Sequence, residues 1–281
     1  MKIWEAIIYA IIGGITEILP ISFSGHSILF ENTFHLSPLY SGDGPFVRAG
    51  ISVGIVIALY IIFHREAGES KQAFRTMGSG RASGRASRRD EESLKTRVLL
   101  LSVIGFIPML FSLIFLGKAE GMSNLTSIAI LFAINGLLIL ICTRGAVGKR
   151  GEREATLYDM ILMGLLRMIS VFPGLSSSGT SLCIGRARGL SNSFNIRITY
   201  MLTMAFQILS CVFYLIRGIF MGDFYGRTLL SFLVAVIFSA GAAFLALITF
   251  RNMVMKNKLK AFMYYCFDAA AIAFIIAIIN G

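Results

Sequence analysis

The chain is 281 residues long, 56% of them apolar and only 15% charged, against about 25% charged in a typical soluble domain. That balance excludes an ordinary soluble globular protein and makes a membrane protein the first class to test. The net charge of +11 sits in the connections between apolar stretches, which excludes a nucleic-acid-binding face and follows the excess of Lys and Arg in the cytoplasmic loops of membrane proteins.

Uninterrupted apolar runs decide the architecture, because a helix needs roughly 20 such residues to cross ~30 Å of hydrocarbon. The first apolar segment, residues 7–30, contains Glu17 and is broken at Pro20. It lacks the basic start and small-residue cleavage site of a secretory signal. Residues 46–63 form the first clean span. Residues 64–97 follow as a polar connection with Arg75, Arg81, Arg85, Arg88 and Arg89 among Gly and Ser. Such a composition cannot bury a core and predicts a segment that is disordered or lies on lipid headgroups, with a topogenic role. Residues 98–116 and 125–142 are the second and third spans. Residues 157–185 are again apolar and again broken, at Pro173-Gly174. Spans 198–216, 229–249 and 261–279 follow, the last with one acid, Asp268, to which no role attaches. Long runs without alternation predict helices rather than strands. Cys142, Cys183, Cys211 and Cys266 lie in apolar surroundings without CxxC spacing. They read as small buried hydrophobes rather than as a disulfide framework or a zinc site.

The basic connections set a topology. With 64–97 in the cytoplasm, the connections 144–153, 186–197 and 251–260 fall on the same side and are also basic. Residues 157–185 then begin and end on one side, as a re-entrant helical hairpin. Residues 7–30 take the same form from outside, with the N-terminus outside. The expected fold is an all-α polytopic membrane protein: six full transmembrane helices plus two re-entrant hairpins, in one integral membrane domain over 1–281 with halves 1–143 and 144–281. The broken segments also resemble each other. LPISFSGH (19–26) lies on FPGLSSSGT (172–180) with one inserted residue, both reading apolar, Pro, serine cluster, Gly, polar. Broken segments matched between two halves are the mark of an inverted repeat whose site lies at the repeat interface.

Polar groups at membrane depth are costly, so each is a candidate for function. Glu17, Ser22, Ser24, Gly25 and His26 surround the first break; Gly174, Ser176, Ser177, Ser178, Gly179, Thr180 and Ser181 surround the second. Free N–H groups at the start of the helix after each break bind anions, phosphate above all. Glu17 can hold a divalent cation that neutralises a diphosphate, and His26 can serve as nucleophile or general acid/base near neutral pH. Arg167, six residues before Pro173, is placed for bidentate phosphate contact. Arg48 reads either as snorkelling from a span end or as a second phosphate contact. Asp159 reads as a helix cap or an interfacial charge.

On these residues the chain resembles the bacterial undecaprenyl-diphosphate phosphatase family, also called the bacitracin-resistance family. The family's first motif, roughly EGxTEFLPxSSTGH, reads GGITEILPISFSGH here, from Gly13 to His26. The second, roughly PGxSRSGxT, reads PGLSSSGTS, from Pro173 to Ser181. The resemblance implies an intramembrane phosphatase of the bacterial plasma membrane that removes one phosphate from a C55 prenyl diphosphate and so recycles the cell-wall carrier lipid. It also implies a homodimer and dependence on Mg²⁺ or Ca²⁺, with Glu17 as a metal ligand. Carried over by position, Glu17, His26, Ser22 and Ser176 are catalytic, and Ser178 matches a further functional position. The chain departs from the motifs at Gly13 (Glu in the family), Phe23 (Ser), Ser177 (Arg) and Ser181 (Thr). Conversely, Arg48 and Arg167 stand where the family usually has Gln, and are expected to supply the missing positive charge. A prenyl-phosphate transporter or flippase, or a protein that sequesters the lipid, would use the same cavity without hydrolysis.

Overall fold

A computed structural model describes the backbone of residues 1–40, 42–77, 84–115, 124–221 and 226–280; the side chains of 65–77, 84–91, 221 and 226–227 lie outside that description. The helices that carry the fold among the described residues are α1 (Ile3–Ile18), α2 (Phe23–Phe34), α3 (Gly44–Met77), α4 (Gly84–Leu110), α5 (Leu125–Arg144), α6 (Leu157–Ile169), α7 (Ser177–Ala187), α8 (Asn192–Met221), α9 (Gly226–Met255) and α10 (Lys260–Asn280). Among the described residues the one β pairing is an isolated bridge between Arg150 and Leu190.

Among the described residues six stretches are long and apolar enough to cross a membrane: Gly44–His64, Glu92–Phe115, Leu125–Arg144, Asn192–Phe220, Thr228–Met255 and Lys260–Asn280. They overlap the five clean runs of the sequence and the sixth that contains Asp268. Their outer faces carry large apolar side chains such as Ile237 and Leu245, each about two-thirds exposed at 68% and 67%, a surface suited to acyl chains rather than water. The protein is a multi-pass membrane protein.

The basic connection differs from expectation. α3 runs on to Met77 and α4 begins at Gly84, so both flanks of the 64–97 segment are helical rather than disordered. Ala, Glu, Lys, Gln and Arg dominate those flanks, and extending a helix already nucleated in the membrane adds one hydrogen bond for each residue fixed. Arg81 lies outside the described residues, as do the side chains of Arg75, Arg85, Arg88 and Arg89.

The broken segments fold as helix, break, helix. α1 and α2 flank the first break, α6 and α7 the second, and none exceeds 16 residues, too short to span hydrocarbon singly. Each half of the chain is thus a broken pair followed by three long helices. The packing respects that division. α3 packs on α8 and α5 on α10, each joining equivalent helices of the two halves; α1 packs on α9 just as α6 packs on α4. One apolar core gathers α1, α3 and α9 with parts of α8 and α10. A second joins α4, α6 and α8. α9 approaches α1 and α3 through small residues such as Ala235, Ser239 and Ala243, the way membrane helices pack closely.

At the mouth of the second hairpin, Asp159 closes a polar staple. It forms a capping box with Thr156 and ion pairs with Arg150 at 2.8 Å and Arg188 at 2.6 Å. Burial alone would raise its carboxyl, but the hydrogen bonds from the two arginines and Thr156 outweigh that and bring its pKa to about 2. Arg197 pairs with Glu152 beside it. The cap expected of Asp159 is present, and it also ties the start of α6 to the end of α7.

Candidate active site

The two breaks are stitched to each other. Ser22 caps α2 by accepting from the Gly25 N–H at 3.4 Å, and Ser176 caps α7 by accepting from the Gly179 N–H at 3.1 Å. The same residue types at the same positions do the same work in both halves. The bonds across the breaks are reciprocal. The Gly174 N–H donates to Ser22 Oγ at 3.0 Å, while Ser178 and Ser176 donate to the Leu19 carbonyl at 3.0 and 3.4 Å. Asn135 of α5 reaches both: its amide donates to the Pro20 carbonyl at 2.9 Å and its oxygen accepts from the Ser176 N–H at 3.0 Å. Non-helical backbone at membrane depth is tolerated only when its polar groups are satisfied internally, and here each break satisfies the other. The crossing is close. A Cβ on Gly25 would come within 2.7 Å of Phe132 and 2.9 Å of Gly174, and Gly174 itself has φ +109°, open to Gly without strain. Ser22 is held at φ 66°, a region a non-Gly residue occupies only where surrounding structure enforces it, as at functional sites.

Beside this crossing lies a small cavity of about 40 Å³, walled by Glu17 and Thr16 of α1, Ser22, Phe23 and Ser24 at the start of α2, Tyr40, Arg48 of α3, Ser170 and Ser177 of the second break, and Phe206, Ser210 and Tyr214 of α8. Glu17 is buried and accepts from Ser177 Oγ at 3.4 Å. Arg48 is buried too; its guanidinium lies 4.1 Å from the Phe23 ring centre and 5.5 Å from that of Tyr214, and its Nε has no protein partner. The helix starts of α2 and α7 both aim at this space through Ser24 and Ser177. Two helix N-termini, each with one N–H capped by its serine, and a guanidinium make a wall suited to an anion. Glu17 is the one carboxylate in the wall among the described residues.

Other expected residues stand elsewhere. His26 does not face the cavity. Its Nδ1 lies 2.6 Å from the Ser22 carbonyl, which only accepts, so Nδ1 carries the proton; Nε2 then accepts from the Tyr265 hydroxyl at 2.8 Å. The ring stacks on Tyr265 and lines two apolar grooves of about 270 and 430 Å³ between α2, α1 and α10, the first of which also includes Asp268. The reason is helical geometry: Ser24 and His26 are two residues, about 200°, apart on α2, so they face opposite ways. Ser176 and Ser178 turn to Leu19, and Thr180 and Ser181 donate to the Ser177 carbonyl. Gly179 packs on Pro20. Arg167 is fully buried behind the wall, where Nη1 donates to the Ser177 carbonyl at 3.1 Å and Ser181 Oγ at 3.4 Å, while Nε and Nη2 have no partner. It braces the α7 start rather than lining the cavity. The residues missed by the sequence reading are Asn135, Tyr40, Ser210, Tyr214 and Tyr265. Ser210 and Tyr214 did carry a signal, because Asn195, Thr199, Thr203, Gln207, Ser210 and Tyr214 recur every three to four residues along an otherwise apolar span and are all buried.

The donors do not fit a divalent cation well. Hard cations such as Mg²⁺ and Ca²⁺ take six or more oxygen ligands, with carboxylates leading. Here one carboxylate shares its cavity with a guanidinium, and among the described residues no group of three or more His, Cys, Asp or Glu converges anywhere.

Comparison with known proteins gives the chain's family. The family model described as "Bacitracin resistance protein BacA" matches residues 6–272. The chain is 29% identical to "Undecaprenyl-diphosphatase 1" of Shouchella clausii over 98% of its own length and 96% of that protein. It is 25% identical to "Undecaprenyl-diphosphatase" of Methanococcus maripaludis, covering 95% and 97%, and 26% identical to that of Thermosipho africanus, covering 96% and 98%. With a match over nearly its whole length, both broken segments included, the chain belongs to the BacA family of bacitracin resistance proteins.

Proposed function

We propose that the protein is an intramembrane phosphatase that hydrolyses undecaprenyl diphosphate to the monophosphate and inorganic phosphate. In a bacterial plasma membrane this returns the cell-wall carrier lipid to use. The observation that carries the reading is the convergence of two serine-capped helix starts, Glu17 and Arg48 on one cavity, supported by relatives named for this activity. The diphosphate takes the N–H groups of α2 and α7 and the Arg48 guanidinium. Glu17 serves as the base, removing a proton from an attacking water or from the Ser177 hydroxyl it already holds. His26 acts through the Ser22 carbonyl as a positioning residue. The 430 Å³ groove between α1 and α10 shares Thr16 with the cavity wall, so a prenyl chain leaving the cavity there stays in contact with apolar side chains. Each half contributes three full spans, an odd number; with both broken segments re-entrant, the halves sit in opposite orientations, the geometry of an inverted repeat.

The test is phosphate release from a long-chain prenyl diphosphate by the purified protein. Glu17→Gln is expected to lower the rate by about a hundred- to ten-thousand-fold, the usual worth of a general base, and His26→Ala by less. Undiminished release by Glu17→Gln would reject this assignment of the base. No release from folded wild type would reject the phosphatase.

A further inference from the structure

Gly13, Phe23 and Arg48 form one physical unit. A Cβ on Gly13 would lie 2.8 Å from Ile51 and 3.2 Å from the Phe23 ring, so a larger residue there collides with that ring. The ring is buried, 1% exposed, and its face carries the Arg48 guanidinium at 4.1 Å, with Tyr214 on another side at 5.5 Å. A guanidinium stacked on aromatic faces keeps its N–H groups free in the ring plane, and it is more weakly hydrated than an ammonium, so it tolerates a dry site.

The charge balance of the site follows. Glu17 contributes one negative charge and Arg48 one positive charge to the wall, and Arg167 adds a second positive charge behind Ser177. Among the described residues neither arginine is in an ion pair; Arg48 keeps its Nε, and Arg167 its Nε and Nη2, buried without a partner. An unpaired buried cation is strongly unfavourable unless an anion completes it. The unpaired buried positive charge therefore suits an anion. A divalent cation placed beside Glu17 would meet two buried guanidinium charges, with one carboxylate to offset them.

We infer that Arg48, seated on Phe23 in the space Gly13 leaves open, takes the part of a divalent cation, so that this chain binds a diphosphate head group without metal. Phe23 is a positioning residue acting through Arg48. The inference rests on the phosphatase reading for its ligand class, but its test does not depend on turnover.

Binding of inorganic pyrophosphate to the purified full-length protein in detergent micelles is measured calorimetrically, once in EDTA and once with millimolar Mg²⁺. The wild type is expected to bind equally in both, within about twofold. Arg48→Gln is expected to lose at least tenfold in EDTA and Arg48→Lys to fall between, since an ammonium keeps the charge but not the fork or the stacking. Free guanidinium ion is expected to restore binding to Arg48→Ala but not to Arg48→Ala/Phe23→Leu. That rescue reads the shelf itself, because loss of packing alone would not abolish it selectively. Wild-type binding that disappears in EDTA and returns with Mg²⁺ overturns the inference, as does unchanged binding by Arg48→Gln; the wild-type comparison decides even if a variant fails to fold. Metal-free binding without phosphate release from a prenyl diphosphate would leave the inference standing and remove the phosphatase. Release from a prenyl diphosphate together with pyrophosphate binding that is lost in EDTA would do the reverse.

Discussion

Asn135 is one polar side chain in the middle of the apolar run LFAINGLLIL, and it holds a backbone group of each break. Replacing it with Leu leaves the Ser176 N–H buried without its partner, at about 1–3 kcal/mol for a group stranded, and leaves the Pro20 carbonyl with only the Cys266 thiol at 3.7 Å. The Asn135→Leu protein is expected to melt well below the wild type in detergent, whereas a substitution of similar size at the lipid-facing Ile134 leaves the midpoint within a degree or two. Differential scanning calorimetry of the two decides it. Asn135 also shows where a sequence runs out. Glu17, Ser22, Ser24, Ser177 and Arg48 were legible because each sits at a break or is a charge in an apolar stretch. Asn135, Tyr40 and Tyr265 are single polar residues whose partners lie tens to hundreds of residues away, and no local pattern encodes such a distance. His26 was legible as a residue of interest but not in its direction, because the helix that begins at Phe23 turns it away from Ser24.

At the scale of elements, the hairpins were legible as interruptions: Pro20 and Pro173-Gly174 break apolar runs, and serine clusters follow. Their mutual stitching was not, since it depends on how the second break lies across the first. The α6–α7 hairpin carries its own prediction through Asp159. The folded pKa of about 2 lies below the ordinary value near 3.9, so the carboxylate contributes stability above the unfolded pKa and loses it as pH falls toward the folded one. The difference of nearly two pKa steps corresponds to about 2 kcal/mol at neutral pH. Asp159→Asn is expected to lower the unfolding midpoint at pH 7, and the gap to wild type is expected to narrow between pH 4 and pH 2. A gap that is constant over that range would mean that the two arginines do not depend on the charge of Asp159. The helical flanks of residues 64–97 teach a related lesson. Their polarity predicts a segment that is disordered or lies on lipid headgroups, but polarity excludes a buried core, not a helix that continues out of the membrane.

At the scale of the molecule, the two halves are complementary rather than independent. The cavity takes Glu17, Ser22, Ser24 and Arg48 from the first half and Ser170, Ser177, Ser210 and Tyr214 from the second. Residues 1–143 expressed alone are therefore expected to neither bind pyrophosphate nor resist protease, while co-expression with 144–281 restores both. Protection of the first half by itself would contradict this.

The bond from Ser178 to the Leu19 carbonyl joins residues 159 positions apart, and that separation has a consequence for biogenesis. While the ribosome is still making the second half, the first break has no serine to meet its carbonyl and no Gly174 N–H to offer Ser22. The nascent chain must keep that segment near water or against an insertion factor until the second hairpin arrives. The last step of assembly is then the meeting of the two hairpins, and the cavity between them comes into being in the same event that makes the protein stable.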